Sequence, residues 1–171
     1  MRPKIISVIG PNAPGCTPVI YDFGVMLGKT LIDEGYFIVC GGMGGLMEAV
    51  CKGATKAKHY TKGCTIGILP TLQKSDANEF CDVVIPSGLG IARNQLVVNA
   101  GDAVVAIGGG AGTLSEIAFA WQLGKPLICY SGLGGWSEAM AGKMVDERMR
   151  NKIIGAESLE EIIAHVKRVL Q

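Results

Sequence analysis

Charge is scarce in this chain of 171 residues: Asp, Glu, Lys and Arg together make up 18%, and the net charge is +1. Without a net positive field, and with its basic residues scattered, the chain is not expected to bind nucleic acid or an anionic membrane. Aromatic residues are few, at 6%. No apolar run approaches the ~20 residues of a membrane span. No positively charged leader with an apolar stretch opens the chain, so a cytoplasmic protein is expected. Histidine occurs only at positions 59 and 165, both expected on helices, and the six cysteines include no C-x-x-C pair. The spacing therefore shows no metal site and predicts reduced, mostly buried thiols. Internal repeats and low-complexity tracts are also missing.

What is abundant is apolar surface and glycine. Hydrophobic residues reach 49% and mean hydropathy is +0.34, so the chain is too apolar to be disordered. Poor in charge for a monomer, it is expected to form a homodimer or homotetramer, with Leu96 and Val97 on the exposed face of a helix over Ile91 to Ala100 as the interface. The 25 glycines are about twice the usual share and place the backbone in tight turns or close to a ligand.

Apolar runs alternate with helical spacing along the whole length. Ile5 to Ile9 has the continuous apolarity of a strand buried on both faces, and Tyr36 to Cys40, Cys64 to Leu69, Cys81 to Ile85, Ala103 to Ile107 and Leu127 to Tyr130 read as further strands. Between them, Phe23, Met26, Leu27, Thr30 and Leu31 mark one helix face. Leu46, Met47, Val50, Cys51 and Ala54 mark a second, and Leu114, Ile117, Ala118 and Trp121 another. A helix follows the loop Ser131 to Ser137. A last one carries Leu159, Ile162, Ile163 and Val166, with Ser158 and Glu161 as a capping box. Such alternation predicts right-handed crossovers. Residues 1–171 are expected to form a single Rossmann-like three-layer α/β domain, its mostly parallel sheet covered by helices on both faces.

Ligands of such sheets bind beyond the carboxyl ends of the strands, where strand order reverses. Two segments there share one grammar of strand, glycine cluster and helix: Gly41, Gly42, Gly44 and Gly45, and Gly108, Gly109, Gly110, Gly112 and Thr113. Glycines let backbone N–H groups converge on an anion at a helix N-terminus, so a phosphate-bearing ligand is expected. The loop after the first strand, Gly10 to Gly15, is not G-x-G-x-x-G, and no acidic residue ends the second strand. No Walker motif is present. A dinucleotide-dependent dehydrogenase, an ATPase and a metalloenzyme are all disfavoured. Arg93 stands at the start of the third helix, as a bidentate phosphate ligand or a solvated ion-pair partner. Asn94 follows it as a further donor, and Asn99 is a weaker one. Glu116 closes a capping box with Thr113, or serves a site beside the phosphate by stabilising an oxocarbenium-like transition state or acting on water. Trp136 is placed either to stack on a heterocycle or to pack on the sheet edge. Met43 is placed in the pocket wall, and Cys16 in the loop after the first strand.

Taken together, Gly41 to Met47, Arg93 and Gly109 to Glu116 resemble the lonely-guy superfamily, whose members are often mislabelled lysine decarboxylases. The resemblance spans nearly the whole chain. It implies a nucleoside 5′-monophosphate phosphoribohydrolase that releases base and ribose 5-phosphate, with Arg93 and Glu116 as the catalytic pair and Gly109, Gly110, Gly112 and Thr113 as the phosphate loop. Two departures stand out: Gly108-Gly109-Gly110 replaces Pro-Gly-Gly, and Arg93-Asn94 replaces Arg-Lys. With Gly88 to Asn94 and Gly134-Gly135-Trp136, these look closer to a sister branch of molybdenum-cofactor carriers and DprA-related proteins. That branch implies binding, without turnover, of a molybdopterin-type cofactor or a purine nucleotide through its phosphate; no cofactor is expected to be required. A DNA-processing module is the third class, poorly matched by a net charge of +1.

Overall fold

The computed structural model describes residues 2–147 and 152–171. Seven strands form one parallel sheet: β1 (Ile5–Ile9), β2 (Phe37–Cys40), β3 (Thr65–Leu69), β4 (Val83–Pro86), β5 (Ala103–Ile107), β6 (Leu127–Tyr130) and β7 (Ile154–Ala156). Their order is β4-β3-β2-β1-β5-β6-β7, so the direction of winding reverses between β1 and β5. Register runs Ile6 to Ala103 through Ile9 to Ala106 across that junction. The seventh strand was not legible as one: it has three residues, Ile-Gly-Ala, too short for a periodic signal.

Alternate strand residues feed two separate cores. Ile6, Val8, Ile38, Cys40, Val105 and Ile107 pack with α1 (Pro18–Asp33), α2 (Leu46–Ala54) and α6 (Leu159–Val169). Ile9, Val39, Val104 and Ala106 pack on the other face with α3 (Arg93–Ala100) and α4 (Ala111–Gln122). This is the three-layer arrangement expected of strands that read as apolar throughout. A short α5 (Gly135–Met140) closes the β6 side.

Helix α1 differs from its expected face. Met26 is exposed, and the buried positions are Ile20, Phe23, Gly24, Leu27, Gly28, Leu31 and Ile32. The stripe turns toward glycine because α1 and α2 pack backbone to backbone. A Cβ on Gly28 would lie 2.0 Å from the Val50 carbonyl oxygen, and one on Gly53 would lie 2.1 Å from that of Val25. Helix α3 also begins later than expected, at Arg93, after a single 3-10 turn over Gly90–Ala92. Gly88 and Gly90 have φ of 67° and 56°, the left-handed backbone of the loop that leads into that turn. Val97, expected at an exposed face, is fully buried, whereas Leu96 is exposed. His59 stands in a turn after α2 rather than on a helix. Ser158 caps α6 by accepting from the Glu161 N–H at 3.1 Å. The Glu161 carboxylate, however, accepts from Glu157 N–H one residue earlier than a capping box requires. Among the described residues no helix is long and apolar enough to cross a membrane.

Candidate functional site

At the carboxyl ends of β1 and β5 lies a cleft of about 380 Å³. It forms there because strand order reverses, so the loops leaving adjacent strands diverge to opposite faces. Its walls are the β1–α1 loop (Gly10, Pro11, Asn12, Gly15), Gly41 after β2, Ile91, Arg93 and Asn94 at the start of α3, and the first turns of α4.

The two glycine loops play different parts. In the second, Gly110 is the N-cap of α4, with no side-chain cap. Leu114 N–H makes the first intrahelical bond, to the Gly110 carbonyl. The N–H groups of Ala111, Gly112 and Thr113 have no partner among the described residues, and all three residues line the cleft. Gly108 and Gly109 sit behind them. Gly108 N–H donates to Ser137 Oγ at 2.6 Å, and the carbonyls of Gly108 and Gly109 accept from Ser137 and Trp136 N–H. Gly109, at φ 90°, leaves room for Thr113, whose Oγ1 would lie 2.1 Å from a Cβ at that position.

In the first loop only Gly41 reaches the cleft. A Cβ there would stand 2.3 Å from Arg93 Nη1 and 2.5 Å from Met47 Sδ, so its absence lets the guanidinium lie against the backbone. Gly42, Gly44 and Gly45 do not line the cleft. The β1–α1 loop crosses Gly45, bringing Asn12 C within 2.5 Å of where its Cβ would be. Leu46 N–H donates to the Pro11 carbonyl at 3.1 Å. The chain itself thus covers the start of α2, leaving α4 to present the open helix end. The wall formed by Gly10, Pro11 and Asn12 was missed by motif reading; its signal was only that β1 stands at the switch point.

Arg93, Asn94, Thr113 and Glu116 converge on this cleft and are buried. Thr113 and Glu116, three apart, share one face of α4. Thr113 is the third residue of the helix rather than its cap, so the capping-box reading of Glu116 does not hold. Arg93 Nη1 lies 4.0 Å from Glu116 Oε1, and the buried Arg93 Nε has no hydrogen-bond partner among the described residues. Burial pushes the Glu116 carboxyl up to about 8, overriding the opposing pull of Arg93. Burial likewise lowers Arg93 from its usual value, against the pull of Glu116 and Cys40; a guanidinium nonetheless stays cationic. Burial thus favours a protonated Glu116 beside the arginine cation, which leaves that positive charge for an anion. Asn94 Nδ2 donates to Ser115 Oγ at 3.1 Å, and Ser115 Oγ donates to the Gly112 carbonyl at 2.6 Å. That chain ties α3 to the open end of α4.

Trp136, Met43, Asn99 and Cys16 are not among the cleft residues. Trp136 is 40% exposed. Met43 packs against the core, and the Asn99 carbonyl accepts from Lys125 Nζ. A feature absent from the spacing is a group of three cysteines: Cys40, Cys51 and Cys81 have sulfurs within 4.8 Å of one another.

The SLOG cluster4 family model matches residues 3–163, and the chain belongs to that family. An uncharacterised protein of Archaeoglobus fulgidus is 41% identical over 125 residues, covering 73% of this chain and 78% of that protein. Among solved structures, the molybdenum cofactor binding protein of Rippkaea orientalis is similar at 35% identity and a TM-score of 0.86. It covers 100% of this chain and 99% of its own. The molybdenum cofactor carrier protein of Chlamydomonas reinhardtii is similar at 30% identity and a TM-score of 0.84, covering 99% of each chain.

Proposed function

We propose that this member of the SLOG cluster4 family is a carrier that binds a phosphorylated heterocycle of the molybdopterin type in the cleft between β1 and β5. The observation that carries the reading is the cation and the open helix end facing one space. Arg93 keeps an unpartnered buried Nε, and α4 presents three unpaired N–H groups beside it. A phosphate fits both, because a helix N-terminus and a guanidinium each favour an anion and supply donors to its oxygens. A volume of about 380 Å³ falls in the range of small-ligand clefts, roughly 300–1,000 Å³. The cofactor binding reported in the names of the Rippkaea and Chlamydomonas proteins agrees with this cargo.

In this reading Ala111, Gly112 and Thr113 hold the phosphate through backbone N–H groups. Arg93 neutralises it, and Asn94 keeps α4 in place. Glu116 remains protonated at neutral pH, so it adds no repulsion toward the anion. The cargo's own redox chemistry lies with the molybdopterin group; this chain binds it and limits its contact with water. The apolar residues exposed around β4 and the α3 start, Leu72, Ile85, Leu89 and Ile91, fit a homodimer or homotetramer.

A second reading draws on Glu116 itself. A carboxyl raised to about 8 in a cleft is poised as a general acid, as a nucleoside 5′-monophosphate phosphoribohydrolase would use it to protonate the departing base. One experiment separates these readings. The purified protein is titrated with a molybdopterin-type ligand and incubated with a panel of nucleoside 5′-monophosphates while free base is followed by chromatography. Saturable pterin binding with no base release is expected. Base release that disappears in Glu116→Gln would replace the carrier reading with the hydrolase. Salt-sensitive retention of single-stranded DNA, with neither, would replace it with a DNA-processing module.

A further inference from the structure

Three cysteines from three elements meet behind the cleft. Cys40 ends β2, Cys51 stands in α2, and Cys81 precedes β4. Cys40 and Cys51 sulfurs lie 3.7 Å apart, as do those of Cys51 and Cys81. All six cysteines of the chain are free thiols. We propose that Cys40, Cys51 and Cys81 form a three-thiolate site for a monovalent thiophilic ion, Cu(I) in the cell.

Geometry supports the ion. Thiolate ligands about 2.3 Å from a metal stand about 3.8 Å apart in a tetrahedral arrangement and about 4.0 Å apart in a trigonal one. The observed 3.7 Å contacts are within a few tenths of both. No fourth His, Cys, Asp or Glu joins the group among the described residues. Structural Zn(II) takes four protein ligands, whereas soft thiolates select Cu(I), which three of them satisfy.

The three thiols lie in or against the core between the sheet and α2. Gly42 N–H donates to Cys40 Sγ at 3.4 Å, and Asn78 Nδ2 reaches Cys81 Sγ at 4.0 Å. The Gly42 N–H aimed at Cys40 stabilises the thiolate form there and orients that ligand. Asn78 is itself fixed by donating to the Gly42 and Met43 carbonyls at 3.0 Å. Gly67 has no Cβ where Cys81 Sγ needs the space, the two being 2.6 Å apart were one present. Cys40 and Cys51 are fully buried and Cys81 is half-buried, which leaves the Asn78–Asp82 side as the route in. Binding converts three thiols and Cu(I) into a Cu(I) tris-thiolate, with three protons released to solvent and no change in oxidation state.

The reduced protein is titrated against Cu(I)-bicinchoninate under ascorbate, with folding of each variant checked by thermal melting. One Cu(I) per chain is expected, with a near-ultraviolet thiolate-to-copper band. Affinity is expected to be at least about 100-fold lower in Cys81→Ser and unchanged in Cys16→Ser. Should Cys81→Ser fail to fold, Cys51→Ala gives the same readout. Failure of the wild type to compete with bicinchoninate would overturn the site. So would full-strength binding in Cys81→Ser or Cys51→Ala, or Zn(II) displacing Cu(I) at equal concentration.

Discussion

Arg93 and Glu116 face each other across 4.0 Å, too far for a hydrogen bond and too deeply buried for either charge to be comfortable. Burial drives both toward neutrality, and the carboxyl yields first, at about 8. A guanidinium with a protonated neighbour and an unpartnered Nε is a site arranged for an external anion. A closed ion pair would have spent that charge internally.

Arg93→Ala should therefore weaken binding of a phosphorylated pterin or nucleotide. Losing charge-assisted hydrogen bonds costs about 1.5–3 kcal/mol, roughly 10- to 150-fold in affinity. Arg93→Lys should recover part of this, keeping the charge without the fork. Calorimetric titration checks both, and equal affinity across the series would remove Arg93 from the site.

Glu116 should make the protein less stable in alkali. Its folded value of about 8 exceeds its ordinary 4.5, so its contribution is complete below pH 4.5 and is lost as pH rises through 8. The slope cannot exceed about 1.4 kcal/mol per pH unit. Urea midpoints at pH 5, 7 and 9 should fall for the wild type and stay flatter for Glu116→Gln. Parallel curves would show that the carboxyl is ionised in the folded state.

Gly28→Ala should destabilise the fold even though alanine is the better helix former by about 1 kcal/mol. Its Cβ would meet the Val50 carbonyl at 2.0 Å, and overpacking of that kind costs about 1–3 kcal/mol or more. Gly24→Ala should cost less, since its first contact is the Leu46 side-chain methyl at 2.7 Å. Urea unfolding of the two variants tests the order; the reverse order would mean that α1 and α2 separate easily.

Ile91 is 89% exposed, and Leu89 and Leu96, two and five residues away in the chain, are exposed as well. Sedimentation velocity at micromolar concentration should show a dimer or tetramer for the wild type and a smaller species for Ile91→Asp. A wild-type monomer would leave this apolar surface without a self-association role.

The sequence by itself determined the layered fold. Inner strands covered on both faces are mostly apolar, and helices covering them must be apolar along one stripe; β4 at the edge is the half-exposed exception. Six of the seven strands and the main helices were therefore visible as patterns. Ile154–Ala156 was invisible because three residues carry no period. Glycine clusters marked both loops, yet spacing alone does not say which loop opens to solvent. That depends on Pro11 and Asn12 crossing Gly45, a contact between segments more than 30 residues apart. Thr113 and Glu116 likewise matched a capping box until the helix start was fixed at Gly110. Tertiary structure decided the most for Cys40, Cys51 and Cys81. Their separations of 11 and 30 residues match no metal-binding motif; parallel pairing of β2 with β3 and of β3 with β4 sets Cys40 beside Cys81, and the packing of α2 on the sheet adds Cys51.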